Sequence, residues 1–505
     1  MNVTNEELSG LKPLVVAVVG PTNEGKTSIL RTLTNDPYFG NINAYTGTTS
    51  RAEIQKVFYK GVAELLQLVD TPGFQTSSEI LDLVLQLPEV EENNGDFGLE
   101  EIMRAIPRED EDFRHDLRAW REIERADLVI LVASVVEDPT KSLLKNSLRL
   151  LKNIGRPVVV AYNNIRDADE LTGAGALADF RQSWEETLRK NNFFLVQEYD
   201  AHRRSFAHEI ELFEKIAALT RNPLTQRVLR LEMRERRALE KRRYASSRSI
   251  IAELLIDVAA YREIATNVEE CDRVAKMKEI EEKLKEKVVR REHDAQLDIL
   301  KAWDFRSGFL SREMLDITEI AKESDEFFGK DAKRHLSVGG GAGVAVGAAL
   351  GLALDAASAG ITLGAGLALG TFLGGLVGGG GAAAYNSKYD AKRKRLVARS
   401  DRRVVDALLA RAVELTQALA TRGKAIDDTS TTLVSRESKP IEIPNVTNAL
   451  NKYESFPAYS RLNETDSSSP KEWNLTALFS RERKTRAEVI EQIAEALKEA
   501  LPDVD

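Results

Sequence analysis

The stretch GPTNEGKT at residues 20–27 matches the pattern G-x-x-x-x-G-K-[ST] at every fixed position. It follows a short apolar run, Leu14–Val19, and precedes the helical pattern Ser28–Leu33, which is the context that a phosphate-binding P-loop requires. Glycines let backbone N–H groups approach phosphate oxygens closely, and the following helix directs its N-terminal dipole at the anion. The stretch therefore predicts a strand–loop–helix unit that binds a nucleotide.

The polar side chains of this loop have distinct expected roles. Lys26 is expected to neutralise the outer phosphates, and the hydroxyl of Thr27 is expected to coordinate Mg²⁺. The nucleotide-binding residues predicted from the loop and the start of its helix are Gly20, Asn23, Glu24, Gly25, Lys26, Thr27 and Ser28.

A second motif, Asp70-Thr71-Pro72-Gly73, ends the third strand candidate. An aspartate there can hold the hydration shell of Mg²⁺, and the N–H of Gly73 can reach the γ-phosphate. Between the two motifs, Tyr45–Arg51 lies where a first switch segment is expected. A threonine of such a segment closes on Mg²⁺ when the γ-phosphate is present. We therefore predict metal contacts from Thr27, Asp70 and one threonine of this segment.

Short β-branched runs alternate with amphipathic stretches over residues 13–220. This alternation favours an α/β domain over residues 1–220, with a mostly parallel sheet covered by helices on both faces. The exception is Ile54–Val69, where the turn signal Lys60-Gly61 predicts an antiparallel hairpin. The strand candidates are Leu14–Val19, Ile54–Tyr59, Glu64–Val69, Leu128–Ala133, Pro157–Tyr162 and Phe194–Glu198.

The rest of the chain divides by composition. The acidic stretch 74–126 is interpreted either as a mobile or partner-binding loop or as a solvated, partly disordered one. Residues 221–336 are rich in Arg, Glu, Leu and Ala and predict an all-α region, in which Ser249–Ala260 is a buried face. Residues 337–386 form a glycine-rich apolar segment. Residues 387–505 return to charged helices, and the last helix is expected near Arg481–Leu501.

Sixteen of the 31 glycines lie between Gly339 and Gly381. Small residues four apart line one helix face and let two helices approach closely. Val338–Leu354 and Ile361–Val377 are therefore predicted to form a helical hairpin. Basic residues flank the segment on both sides, which predicts that it docks on or enters a membrane through Val338–Tyr385 with both ends in the cytoplasm. The alternative is a tightly packed, soluble helix pair.

The motifs Gly20–Thr27, Thr48–Thr49 and Asp70–Gly73 resemble those of the TrmE–Era–EngA group of P-loop GTPases. The resemblance implies hydrolysis of GTP to GDP and phosphate with Mg²⁺. It makes Thr49 the metal-sensing switch residue and makes Lys26, Thr49 and Gly73 the catalytic residues. The whole chain also resembles bacterial GTPases that carry a C-terminal domain of unknown function with a glycine-rich apolar segment.

The guanine-recognition motif of that group, Asn-Lys-x-Asp, has two registers in this chain, where residues 161–167 read AYNNIRD. We favour Asn164 with Asp167, because a carboxylate can accept hydrogen bonds from the guanine edge. In the other register Asn163 ends the strand and Arg166 takes the place of the aspartate, although a guanidinium has no acceptor. We retain Asn163, Asn164 and Asp167 as candidates. The last family element corresponds only poorly to Asp200-Ala201-His202.

Hydrolysis in this chain also departs from the commonest pattern. The residue after Gly73 is Phe74, where many regulatory GTPases have a water-orienting glutamine. Some members of the resembled group bind K⁺ through a P-loop asparagine, and Asn23 stands at that position. The resemblance thus implies K⁺ at Asn23 and a homodimer across the nucleotide face. The alternative for Asn23 is a residue chosen for turn geometry.

Composition sets outer limits on function. The chain of 505 residues has a net charge of −9, which gives no overall attraction to nucleic acid. It has one cysteine, and Met1–Lys12 lacks the apolar run of a signal peptide, so we expect a cytoplasmic protein at the cytoplasmic face of a membrane. The main hypothesis is a membrane-associated GTPase switch. The alternatives are a soluble ribosome- or RNA-associated GTPase and a slow nucleotide-gated scaffold, and the effector remains unknown.

Overall fold

The N-terminal part of the chain folds around one sheet in the computed structural model. The model describes residues 3–36, 39, 52–165, 176–201, 203–305, 385–391, 393–400, 402–422, 443–463 and 485–504. The strands of this sheet are β1 (Leu14–Val19), β2 (Glu53–Tyr59), β3 (Ala63–Asp70), β4 (Leu128–Ser134), β5 (Val158–Asn163) and β6 (Val196–Glu198). Their order is β2-β3-β1-β4-β5-β6. Only β2 and β3 are antiparallel, whereas the other neighbours are parallel.

The turn between β2 and β3 confirms the predicted hairpin. Lys60 and Gly61 both have positive φ, 51° and 70°, which is the conformation of the two central residues in a type I′ turn. All six predicted strands are present, with ends shifted by no more than two residues.

Helices cover both faces of the sheet, as predicted. Along β1 the side chains alternate between two apolar clusters: Val16 and Val18 face one, and Ala17 and Val19 face the other. The helices in this part of the chain are α1 (Asn5–Ser9), α2 (Lys26–Thr34), α3 (Ser77–Leu85), α4 (Pro88–Glu92), α5 (Leu99–Ala105), α6 (Arg114–Arg125), α7 (Ser142–Lys152), α8 (Ala176–Lys190), α9 (Phe206–Leu219) and α10 (Pro223–Ala260).

The stretch 74–126 is helical, so its interpretation as a solvated, partly disordered loop is wrong. It forms α3 to α6, which bury Val90, Ile102 and Trp120 against the sheet. The acidic runs that suggested a loop stand between these apolar positions. Apolar residues at helical spacing bury one face of each helix, and that burial outweighs the high local charge.

The described chain divides into two compact units, and the division falls within α10 after Arg236. Unit 1 holds the residues up to Arg236 together with Thr421 and Arg422, and unit 2 holds the others. The expected domain boundary at residue 220 stays a prediction.

Unit 2 is mainly helical, as predicted, and adds a small sheet that was not predicted. Its strands β7 (Glu263–Ala265), β8 (Tyr385–Asp390) and β9 (Arg395–Ser400) pair antiparallel in the order β7-β9-β8. The prediction of a return to charged helices directly after 387 is therefore wrong at β8 and β9. In β9, intermediate and buried residues alternate, which is the period of a strand and not of a helix.

The remaining helices of unit 2 surround one apolar cluster. They are the C-terminal part of α10, α11 (Arg273–Ala302), α12 (Arg402–Thr421), α13 (Pro444–Tyr453) and α14 (Arg486–Ala496). The predicted buried face contributes Ile251, Leu255 and Val258 to this cluster. The last helix is confirmed, and it continues into a 3₁₀ turn at Leu497–Glu499.

The glycine-rich segment predicted as a hairpin lies outside the described residues, apart from Tyr385 and Asn386, which begin β8. Within the described ranges, no helix is both long enough and apolar enough to cross a bilayer.

Candidate nucleotide-binding site

The loop between β1 and α2 depends on its two fixed glycines. Gly20 and Gly25 have positive φ, 147° and 85°. A Cβ on Gly20 would lie 2.2 Å from the carbonyl oxygen of Val132, and one on Gly25 would lie 2.2 Å from Nδ2 of Asn163. Neither position has room for a side chain, so the loop follows the sheet edge closely. α2 begins at Lys26, so the N–H groups of its first turn, which have no partner within the helix, lie at the loop.

Lys26 folds back over the loop. Its Nζ donates to the carbonyl oxygens of Gly20 (3.1 Å) and Pro21 (2.7 Å). The side chain is buried, and burial lowers the pKa of Lys26 from 10.5 to about 8, against the opposing effect of Asp70. An ammonium held among carbonyl oxygens in this way is a cation for which a phosphate would be a stronger partner.

Thr27 and Asp70 meet beneath the loop. Strands β1 and β3 are parallel and pair Val18 with Asp70, so the carboxyl end of β3 lies beside the P-loop. The hydroxyl of Thr27 donates to Oδ2 of Asp70 at 2.5 Å, and both residues are buried. A hydroxyl and a carboxylate are the oxygen ligands that Mg²⁺ prefers, so the donor set fits this ion. Ser28, the next predicted residue, is also buried in α2.

The residues after Asp70 close onto the P-loop. The N–H of Phe74 donates to the carbonyl oxygen of Gly20 at 3.0 Å. A Cβ on Gly73 would lie 2.5 Å from Cα of Thr22, so only glycine fits there. Oγ1 of Thr22 is buried and has no hydrogen-bond partner within the described part of the chain. The two predicted motifs therefore form one concave surface, with a buried polar atom at hand for a ligand.

Glu24 places a carboxylate below the loop. The N–H of Ser134, at the end of β4, donates to Oε2 of Glu24. Burial raises the pKa of Glu24 from 4.5 to about 7, with a further rise from Glu137, while the Ser134 bond and nearby Lys26 oppose it. Glu24 was predicted to bind nucleotide as one of the loop residues, and that role stays a prediction; its bond to Ser134 was not predicted, because the motif leaves this position open.

Asn163 joins the P-loop to the loop after β6. Its Nδ2 donates to the carbonyl oxygen of Glu24 at 2.8 Å, and its Oδ1 accepts the N–H of Ala201 at 2.9 Å. Asn164 has a positive φ of 55° and, among the described residues, donates a side-chain hydrogen bond to Oγ of Ser134 at 3.0 Å. Asn163 therefore makes the bridge between the two loops, and the favoured pairing of Asn164 with Asp167 for base recognition stays a prediction. Ala201 of the weakly matched element Asp200-Ala201-His202 thus lies at this site, whereas His202 lies outside the described residues.

Asn23 is exposed and has the left-handed conformation, with a φ of 69°. Asparagine tolerates this conformation better than most residues, so the backbone fits the turn alternative, and K⁺ at Asn23 stays a prediction. The predicted Thr49, with the whole segment Tyr45–Arg51, and Asp167 lie outside the described residues.

Two residues of α6, Asp116 and Trp120, support this site and were not predicted from the sequence. Phe74 is fully buried and stacks on Trp120 of α6, with ring centroids 5.7 Å apart and an interplanar angle of 24°. Asp116 of the same helix accepts the N–H groups of Gln75 and Thr76. The four-residue spacing of Asp116 and Trp120 was the available signal, since it puts both on one helix face.

Two family models match the chain. The model described as a domain of unknown function, DUF3482, matches residues 185–495. The model described as a 50S ribosome-binding GTPase matches residues 15–164, which contain both motifs and Asn163. No curated protein matches the chain.

Solved structures resemble part of the chain. One is Era in complex with MgGDPNP and nucleotides 1506–1542 of 16S ribosomal RNA, at 17% identity and a TM-score of 0.30, covering 52% of this chain and 75% of that one. A second is Aquifex aeolicus Era Y63A bound to GDP·AlF₄⁻, at 17% identity and a TM-score of 0.29, with the same coverage. A third is the G domain of the T. maritima FeoB iron transporter, at 20% identity and a TM-score of 0.22, covering 38% of this chain and 89% of that one.

Proposed function

Because the chain belongs to the DUF3482 family and carries a P-loop GTPase domain in its N-terminal part, we propose that it is a molecular switch. It hydrolyses GTP to GDP and phosphate and passes its nucleotide state to the DUF3482 region. The proposal is carried by the 2.5 Å contact between Thr27 Oγ1 and Asp70 Oδ2, beside the buried Lys26. These groups are the cation and the oxygen ligands that bind a nucleoside triphosphate and its Mg²⁺.

The residues divide the work as follows. Lys26 leaves its two carbonyl partners and binds the outer phosphates. The N–H of Gly73 would stabilise the γ-phosphate, and Thr27 and Asp70 would hold Mg²⁺, joined by Thr49 in the GTP state. Mg²⁺, when bound, neutralises the negative charge that grows on the phosphate oxygens. Asn163 supports this site by holding the P-loop to the loop after β6.

The test compares Lys26→Ala with Lys12→Ala, an exposed lysine of the same unit. K26A is expected to weaken binding of GTP by about 100-fold or more, because a buried cation facing the phosphates is lost. K12A is expected to bind GTP as the parent does. Equal affinities of K26A and the parent chain would overturn the assignment of the site.

We also propose that hydrolysis is slow without a partner. Phe74 stands where a water-orienting glutamine is common, and its ring is fully buried against Trp120. A hydrophobic ring cannot orient an attacking water. A slow nucleotide-gated scaffold would share this property. Single-turnover hydrolysis distinguishes a slow GTPase switch from such a scaffold, because a scaffold leaves bound GTP intact over the lifetime of its effector complex.

We propose that K⁺ bound at Asn23 supplies the positive charge that an arginine finger provides in other GTPases. A homodimer across the nucleotide face would order the switches around it. The exposed position of Asn23 on the loop supports this idea. The hydrolysis rate is expected to be higher in KCl than in NaCl, and Asn23→Ala is expected to remove the difference. Equal rates of the parent chain in the two salts would refute the role of K⁺.

Membrane association through Val338–Tyr385 is the proposed output of the switch. Its support is the glycine spacing and the basic flanks in the sequence. Deletion of residues 338–384 leaves strand β8 intact. The full chain is expected in the membrane pellet after a high-salt wash, and the deletion variant in the supernatant. If both are soluble and bind GTP, the segment is not a membrane element.

A ribosome-associated role is the second candidate, and the description of the matching model, a 50S ribosome-binding GTPase, favours it. The test is co-sedimentation of the full chain with purified 50S subunits in GDP and in a non-hydrolysable GTP analogue. Binding that depends on the analogue supports this role, and equal absence of binding in both states rejects it.

A further inference from the structure

One carboxylate outside the nucleotide site holds the residues that follow Gly73. Asp116 lies on α6 and is fully buried. Its Oδ2 accepts the N–H of Gln75 at 3.0 Å and the N–H of Thr76 at 3.2 Å. Both groups precede the first residue of α3, so the carboxylate also lies at the positive end of that helix.

The same short segment is held on its other side by the P-loop. The N–H of Phe74 donates to Gly20, and Gly73 touches the backbone of Thr22 so closely that a Cβ would not fit. Residues 73–76 are therefore bound between the P-loop and α6. Any change in the position of α6 must act on the N–H of Gly73 through only two intervening residues.

We propose that Asp116 is a positioning residue for the GTPase reaction. By holding the backbone of Gln75 and Thr76, its carboxylate keeps the N–H of Gly73 directed at the γ-phosphate. This inference rests on the proposed function, because it assigns Gly73 to that phosphate. The hydrogen bonds of Asp116 within the described part of the chain go to Gln75 and Thr76 and not to Thr27 or Asp70, the proposed Mg²⁺ ligands.

The packing of α6 explains why the anchor is rigid. Trp120 lies one turn after Asp116 and stacks on Phe74, so one helix contacts three consecutive residues of the segment. Burial raises the pKa of Asp116, while the N–H bonds of Gln75 and Thr76 oppose that rise. Those two donors satisfy Oδ2, whereas Oδ1 is buried and has no hydrogen-bond partner within the described part of the chain.

This arrangement gives stretch 74–126 a role in the reaction. The helices α3 and α6 are both joined to the segment 73–76, so a partner that shifts α6 changes the geometry at the γ-phosphate. The distance between Asp116 and the segment is thus a control point for hydrolysis, separate from the groups that bind the nucleotide.

The test compares three variants of the full chain. Asp116→Ala removes the acceptor. Asp116→Asn keeps an oxygen that can accept both N–H groups. Leu117→Ala is the matched control, because it removes buried packing from the same helix and keeps the Asp116 carboxylate. The measurements are the single-turnover hydrolysis rate at saturating GTP and the dissociation constants for GDP and for a non-hydrolysable GTP analogue.

D116A is expected to lower the hydrolysis rate by about tenfold to 100-fold, since a misplaced donor loses its effect steeply with distance. It should weaken binding of the GTP analogue several-fold and leave GDP binding within about twofold, because Gly73 faces only the γ-phosphate. D116N should restore most of the rate. L117A should lower thermal stability and keep the parent ratio of analogue to GDP affinity.

The proposal is overturned if D116A keeps the parent rate and affinity ratio, or if D116N fails as D116A does. Should D116A not fold, Asp116→Ser replaces it, since a serine hydroxyl is too short to reach both N–H groups. If the parent chain binds GTP but does not hydrolyse it, the proposed function fails. The role of Asp116 is then decided by the affinity ratio alone.

Discussion

Replacing Glu24 by glutamine tests the electrostatics beneath the P-loop. Glu24 is 8% exposed, and its carboxylate accepts the N–H of Ser134. The pKa of Glu24 is raised from 4.5 to about 7. Burial is the largest cause and Glu137 adds to it, whereas the Ser134 bond, Lys26 and Lys141 act in the opposite direction. The charged form is therefore penalised in the folded state. The stability that the folded state gains from a neutral Glu24 is fully present below pH 4.5 and is lost as the pH rises through 7.

The magnitude follows from the two pKa values. A rise from 4.5 to about 7, at about 1.36 kcal/mol per pKa unit, corresponds to a penalty of about 3 kcal/mol above pH 8. Most of this penalty, about 2 kcal/mol, develops between about pH 5 and pH 8. Glutamine keeps an oxygen for the Ser134 N–H and carries no charge at any pH. Glu24→Gln is thus expected to unfold at a higher temperature than the parent at pH 8, and the gain should be small at pH 5.

The assay is thermal unfolding of both proteins at pH 5 and pH 8, following the transition that added GDP raises, because that transition reports unit 1. A gain of about 2 kcal/mol corresponds to a shift of roughly 4 to 8 °C for a unit of this size. Asp116 is present in both proteins, so its titration cancels. Glu79→Gln, at an exposed position of α3, controls for the loss of one negative charge. A destabilised E24Q at pH 8, or a gain that is equal at both pH values, would refute the reasoning.

Three further substitutions test separate contacts. Gly25→Ala puts a Cβ 2.2 Å from Asn163 Nδ2 at a φ of +85°, so GDP titration is expected to find binding lost, and unaltered binding would show that the loop can move. Asn163→Ala removes both bridging bonds and is expected to cost about 2–4 kcal/mol and weaken GDP binding, whereas Asn164→Ala should do clearly less; the reverse order would contradict the bridging role of Asn163. Asp257→Ala removes the acceptor for Arg291 (2.8 Å) and Arg486 (2.8 Å) in unit 2 and is expected to cost about 3–5 kcal/mol, seen as a lower unfolding temperature in the transition that GDP leaves unchanged.

Local signals predicted the sheet well, and the reason is physical. The central strands β1, β4 and β5 are apolar, largely β-branched runs that are buried on both faces, and β4 is buried at every position. Such runs are recognisable without knowledge of their neighbours. The hairpin turn was equally local, since Lys60-Gly61 alone specifies it.

The failures occur where charge and burial compete. In stretch 74–126, acidic runs surround Val90, Ile102 and Trp120, and only the packing against the sheet makes these residues the decisive ones. In β9, partly exposed residues, two of them arginines, alternate with the buried Leu396 and Ala398, which pair with β7 more than a hundred residues earlier in the chain. The residues near β9 in the sequence do not reveal its pairing with β7, so the strand could not be predicted from them.

The sequence by itself determined the P-loop, because the eight residues 20–27 are contiguous and their geometry depends on glycine backbone freedom and one strand–helix junction. Only the tertiary structure decided which residues support it. Asn163 meets Glu24 across 139 residues of chain, Ser134 meets it across 110, and Asp116 reaches Gln75 across 41. These contacts exist because parallel strands bring distant carboxyl ends to one edge of the sheet, and a helix packed on that sheet then carries its own carboxylate to the same edge.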